Sequence, residues 1–223
     1  FKTMAITING TGTLTGVSVG GLPDGIVDTD MLAAGAVATA KIADSAVTAA
    51  KRGAGAILQV KQAIKTDVFS TTNNTGGVAI VDIPSLSVTI TPTSSSSKIL
   101  ITANVGGHVH NSMGGALLIN RSISGGATGT LATGLADAAS NRLRSNFTGN
   151  LYTTDGGGSN DIQLHCACSI LDSPATTSAV TYKCQLQKLA NSDLYCINRS
   201  ESDDDTNDEA RTVSQITVME VAA

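Results

Sequence analysis

"KILITANVGGHVH", Lys98–His110, is the stretch on which the fold turns. Ile99, Ile101, Ala103, Val105 and Val109 fall on one side of an extended chain, and Leu100, Thr102, Asn104, His108 and His110 on the other. Successive side chains of a strand point to opposite faces, so this period of two predicts a strand with one face on a core. "DIQLHCACSIL" (161–171) repeats the pattern with Ile162, Leu164, Cys166, Cys168 and Ile170 on one face. "AVTYKCQLQK" (179–188) does so with Val180, Tyr182, Cys184 and Leu186 inside and Lys183, Gln185 and Gln187 outside. Shorter runs at Val78–Ile83, Leu86–Ile90, Ala116–Asn120, Leu194–Asn198 and Ile216–Val221 predict further strands, separated by turn-forming clusters such as "TDGGGSND" and "ESDDDTNDEA". Half-buried strands in this number predict an all-β, antiparallel β-sandwich of jelly-roll type over 57–223. No segment there has helical periodicity.

Composition agrees. The 223 residues include 23 Gly but only 3% aromatic residues, so the apolar fraction of 41% rests on Ala, Val, Ile and Leu. Such a core favours sheets over aromatic anchors. The net charge of -4 comes with no basic stripe, which argues against nucleic acid as a partner. No apolar run reaches bilayer-spanning length and no charged-then-apolar leader opens the chain, so no membrane partner and assembly in a cytoplasm are expected. Met4, behind Phe1, Lys2 and Thr3, is a candidate start.

A different pattern precedes the sandwich. From Gly25 to Gly53 the chain has a period of ten: Val27, Val37 and Val47 align, as do Thr29 with Thr39, Leu32 with Ile42 and Lys41 with Lys51. Each unit carries one Val and one Leu or Ile among small residues, too little to bury itself. An extended stalk over 25–56, closed by identical chains about an axis, would bury that stripe; a disordered Ala-rich linker is the alternative.

The blocks "MAITINGTGTLTGVSVGGLPDG" (Met4–Gly25), "TPTSSSSKILI" (Thr91–Ile101), "LDSPATTSAVTYKCQLQ" (Leu171–Gln187), "INRSESD" (Ile197–Asp203) and "RTVSQITVMEV" (Arg211–Val221), with the decapeptide units, resemble tail-fibre-like virion proteins of marine bacteriophages. The resemblance implies a homotrimeric fibre: a virion-anchoring segment at 1–24, a repeat stalk at 25–56 and a jelly-roll head at 57–223. Its partners would be copies of itself, other virion proteins and a host surface receptor. The virion is the implied location, and a neck whisker, head fibre or other non-receptor decoration is the alternative role. It supplies no catalytic residues.

The candidate sites follow from turns and from chemistry. Receptor-contact loops are expected at Ser122–Gly134, Asp155–Asp161 and Glu201–Glu209, with Ser124, Thr128, Asp155, Asn160, Asp203, Asp204, Asp205 and Asp208 as polar contacts. His108 and His110 share a strand face; in a trimer they could ring a metal ion on the axis, as in the His-x-His motif of some phage fibres. The competing reading is two solvent-facing strand residues. Asp203, Asp205 and Asn207 imitate the start of a calcium loop, but Asp208 stands where that loop needs Gly, which favours a solvated acidic loop. Cys166, Cys168, Cys184 and Cys196 are expected as core thiols rather than zinc ligands. "INRS" occurs twice, at Ile119–Ser122 and Ile197–Ser200, and Arg121 and Arg199 are expected to pair with acidic loop residues or neighbouring subunits.

Catalysis is not expected. Glycoside hydrolysis wants two carboxylates across a cleft, and the Glu residues are confined to the acidic loop (Glu201, Glu209) and the last strand (Glu220). No nucleophile elbow or phosphate loop is present, and "GTGTLTG" (10–16) is a poor dinucleotide fingerprint with no helix pattern behind it.

Overall fold

The computed structural model describes residues 7–8, 14–15, 37–44, 46–48, 51–72, 78–109, 115–148, 164–188, 194–207 and 209–223. The chain divides into two compact units, Phe1–Thr48 and Ala49–Ala223. In the first, β1 (Thr7–Ile8) pairs antiparallel with β2 (Leu14–Thr15), and Thr39–Lys41 forms a single 3₁₀ turn. The apolar repeat residues Val37, Ile42 and Val47 are 55%, 44% and 51% exposed.

The second unit is all-β and sandwich-like, and every strand pairing in it is antiparallel. Its strands are β3 (Ile57–Lys65), β4 (Phe69–Thr72), β5 (Ala79–Ile90), β6 (Lys98–Val109), β7 (Gly115–Ile123), β8 (Thr128–Thr130), β9 (Leu164–Asp172), β10 (Val180–Lys188), β11 (Leu194–Ile197) and β12 (Ser214–Val221). One sheet runs β5-β10-β7-β8. The other is built on β6, with β9 along one side and β12 and β11 end to end along the other; β3 lies outside β12 and β4 outside β11.

The alternation in β6, β9 and β10 produces the core. Ile99, Ile101 and Val105 of β6, Cys166 and Cys168 of β9, and Val180, Tyr182, Cys184 and Leu186 of β10 form one buried cluster with Ile216 and Val218 of β12. The two apolar runs read at Val78–Ile83 and Leu86–Ile90 belong to one strand, β5. Its register slips between Asp82 and Ser87, where Pro84 and Ser85 (φ 65°) intervene, so Ile83 and Leu86 both face the core although three residues apart. Such an irregularity shifts the period of two by one, and β5 is an edge strand, where Pro costs no ladder bond. β3, β4 and β8 carry no clean alternation and add to the strands read from the sequence.

Polar side chains tie the sheets together. Asp172, at the end of β9, accepts hydrogen bonds from Tyr182 Oη (2.7 Å) and from Arg121 Nη1 (2.9 and 3.0 Å), so β9 is joined to β10 and β7 of the other sheet. Lys188 of β10 donates to Thr71 Oγ1 (2.9 Å) and the Thr72 carbonyl (2.6 Å) of β4. Glu220, fully buried, accepts from Gln59 Nε2 (2.6 Å) and from the Thr93 amide and hydroxyl (both 2.7 Å). Burial pushes the Glu220 carboxyl up, but the donors Gln59, Thr93 and Ser97 outweigh it and hold it below its ordinary value.

The outward face of the β6 sheet is ordered in rows. Val60, Met219, Leu100 and Leu171 are neighbours in register across β3, β12, β6 and β9. The next row is Gln62, Thr217, Thr102 and Ser169, and the next Ile64, Gln215, Asn104 and Ala167. None of these twelve residues is charged, and Val60, Ile64 and Leu171 stand about half exposed.

Candidate functional site

At the Val109 end of β6 the outward face is not bare. The segment after β11 leaves the sheet at Asn198, which adopts a positive φ of 63°, and returns to β12 at Ser214. Both ends are fixed by a buried network. Asn198 Nδ2 donates to the Lys65 and Asp67 carbonyls (2.9 and 3.0 Å), Asn198 Oδ1 accepts from Ser214 Oγ (2.6 Å), and Ser214 Oγ accepts from the Gly106 amide (3.0 Å). The second "INRS" therefore ends a strand by stitching the break between β3 and β4. In the first copy Asn120 stays within β7, and its buried Oδ1 has no hydrogen-bond partner among the described residues.

Between those anchors the acidic loop is a folded turn. Glu209 is its hub: its carboxylate accepts from the hydroxyl of Ser200, from Ser202 Oγ (2.5 Å) and from the Asp204 amide (3.0 Å). Asp203, at φ 51°, takes Arg211 in a two-point pair (3.1 and 3.0 Å) and lies 3.6 Å from Arg199 Nη1. Both guanidinium groups come from the loop itself, so its charge is balanced at Asp203 while Asp204 and Asp205 remain exposed. With Asp203 so engaged, the start of the calcium-like pattern does not converge on a single point. Asp208 lies outside the described residues.

This turn covers His108. The alternation places His108 on the outward face as read, but it is 2% exposed, with Glu201 Oε2 at 3.5 Å from Nε2. The solvent-facing reading of His108 is therefore corrected: a segment ninety residues further along the chain folds back over it, which local periodicity does not register. His110 lies outside the described residues. No group of three or more His, Cys, Asp and Glu gathers as a metal site among the described residues.

Cys196 shares that covered face. Burial pushes its thiol up to about 11, Glu201 and Asp203 add to the rise, and Arg199 opposes it. Cys166, Cys168 and Cys184 lie in the core cluster, and all four thiols are free and buried. Burial likewise lifts Cys168 to about 11, so these are small apolar side chains rather than reactive thiolates. Arg199 meets the acidic loop as expected, whereas Arg121 meets Asp172, a buried strand residue.

The other expected contact loops fare differently. Ser122–Gly134 is not one loop: Ser122 and Ile123 end β7, and Thr128 is the first residue of β8, its hydroxyl 2.8 Å from that of Ser122. Ser124 is exposed at the hairpin turn, with its amide bonded to the Ala179 carbonyl (2.9 Å). Asp155 and Asn160 lie outside the described residues.

A feature missed at the sequence level lies on the outward face of the β10 sheet. There residues 131–148, which follow β8, fold over Leu118 and leave a concavity of about 240 Å³ that includes Arg142 and Arg144. Its only signal in the chain is "RLR" at 142–144, which means nothing until this segment is seen lying on the sheet. No helix among the described residues is long and apolar enough to cross a membrane. No family model matches the sequence, and no curated protein matches it.

Proposed function

We propose that this chain is a non-enzymatic virion fibre protein, a homotrimer whose second unit is a jelly-roll head that attaches to a host cell surface. In this reading residues 1–24 dock on the particle, 25–56 form a three-chain stalk, and the folded acidic turn is one of the head's contact loops. The observation that carries it is the exposure of the repeat's apolar side chains: Val37 and Val47, at equivalent positions, are 55% and 51% exposed, and Ile42, at the Leu/Ile position of the repeat, is 44% exposed. Regularly spaced apolar side chains left half in water are what a chain built to associate with copies of itself presents. The resemblance of the five sequence blocks to tail-fibre-like proteins supports the same reading. Three equivalent heads would turn weak contacts into firm attachment through effective concentration.

A second reading, a structural decoration that binds no receptor, is favoured by the uncharged outward rows of the β6 sheet. Val60, Met219, Leu100 and Leu171 suit packing against a neighbouring virion subunit. Immuno-electron microscopy of virions with an antibody against 57–223 separates the two. Label at the free ends of tail appendages is the expected result. Label over the capsid or at the neck would move the decoration reading to first place.

A further inference from the structure

The Arg-bearing concavity is built rather than incidental. Asn146, 6% exposed, pins the segment after β8 to the edge of β7. Its Oδ1 accepts from the Ile119 amide (3.0 Å), its amide nitrogen donates to the carbonyls of Leu131 (3.0 Å) and Thr133 (3.3 Å), and its backbone N–H reaches the Leu117 carbonyl (3.2 Å). Arg144 Nε is held by the Ala136 carbonyl at 2.5 Å. Ile80, Leu118, Leu135 and Leu143 give the cavity an apolar lining, and Arg142 and Arg144 give it charge. Among the described residues neither guanidinium meets a carboxylate. The unpartnered buried Oδ1 of Asn120 belongs to the strand position opposite Thr130, another residue of the lining.

From this we infer that the concavity binds one acidic sugar unit of a surface polysaccharide, a uronic-acid-type ring. The inference rests on the host-attachment reading of the head. A planar carboxylate matches the fork of a guanidinium better than a point anion does, and two arginines in one lining select for it. The leucine side chains suit the C–H face of a pyranose ring, whereas a bare phosphate would leave them uncovered. At about 240 Å³ the space falls below that of drug-sized sites, roughly 300–1,000 Å³, which fits a single ring with its chain continuing into solvent.

The test uses the full chain and three probes, galacturonate, galactose and inorganic phosphate, followed by ligand-observed NMR. Galacturonate is expected to bind in the roughly millimolar range and galactose at least about tenfold more weakly. Arg142→Gln should weaken galacturonate about tenfold without moving the melting temperature, because Arg142 anchors no other described side chain, and Arg142→Lys should recover part of the loss. Galacturonate binding no tighter than galactose, or an Arg142→Gln variant that binds galacturonate unchanged, overturns the assignment. Phosphate that displaces galacturonate at equal concentration overturns it too, leaving a plain anion site. A head that ignores galacturonate yet is labelled at tail tips sinks the sugar alone; galacturonate binding by a protein labelled on the capsid sinks host attachment alone.

Discussion

Val47 and Val105 are the same residue in opposite circumstances. Val47, in the repeat, is 51% exposed, while Val105, in β6, has no exposed surface. The difference lies in what each neighbourhood supplies. Val105 stands opposite Cys166 of β9, in a strand whose other neighbours bring Ile216 and Val218 to the same core. Chain segments more than a hundred residues apart thus complete one another's cover. Val47 sits among alanines, with Lys51 and Asp44 nearby in sequence, and the described part of its unit offers no second apolar layer. The sandwich buries its apolar face within one chain, whereas the repeat's apolar side chains stay half exposed, which is what the proposed association with other copies would cover.

The comparison can be broken from either side, and the largest effect is expected in the repeat. Changing Val37, Ile42 and Val47 to Ser should abolish assembly, since a buried Val or Ile contributes about 1.5–3 kcal/mol and three chains would each lose three. The melting temperature of the second unit should stay where it was. Sedimentation velocity read beside calorimetry checks both halves, and a coupled fall would show that the sandwich leans on the repeat.

Next comes Asp172→Ala, which leaves Arg121 and the buried Tyr182 hydroxyl without their common acceptor. Breaking a buried ion pair on one side costs about 3–5 kcal/mol, which urea unfolding would read as a lower midpoint. Chain association at low temperature should be unaffected. An unchanged midpoint would mean that the Asp172 network contributes nothing to holding the sheets together.

Glu220→Gln is expected to cost about 1–3 kcal/mol, because an amide NH₂ replaces one acceptor where Gln59 and Thr93 both donate. The native pKa of Glu220 is depressed, so its contribution is complete above the unfolded value of about 4.3 and disappears as pH falls through the lower folded value. Wild-type stability should fall in that window by a step that the variant lacks. Equal steps in both proteins would assign the acid sensitivity to other carboxylates.

The smallest effect is expected at the acidic turn. Glu209→Gln should change global stability by about 1 kcal/mol or less, since the turn is largely in water. It should speed proteolysis within 201–209, because the anion that gathers Ser200, Ser202 and the Asp204 amide is gone. Cleavage at the wild-type rate would show that the two arginines on Asp203 hold the turn without it.

The sandwich was legible where one strand face meets the core without interruption, as in β6, β9 and β10. The signal failed at β5, where Pro84 and Ser85 shift the phase, and at β3, where Ile57, Val60 and Ile64 face outward while Ala63 packs inward. An apolar outward face erases the contrast that alternation depends on. The site was less legible for a different reason. Its acidic residues could be found by composition, but their balance by Arg199 and Arg211, and the cover they place over His108, arise from a return of the chain that spacing does not encode. The Arg142 and Arg144 concavity depends on residues 131–148 lying down on a sheet, which is a tertiary event throughout.

The most direct test of the central claim is the mass of the full chain by sedimentation equilibrium over a wide concentration range. If the repeat is completed by other copies, the mass is three times the 22.5 kDa of one chain and holds on dilution. A mass of 22.5 kDa at every concentration would leave Val37, Ile42 and Val47 in water and contradict the account.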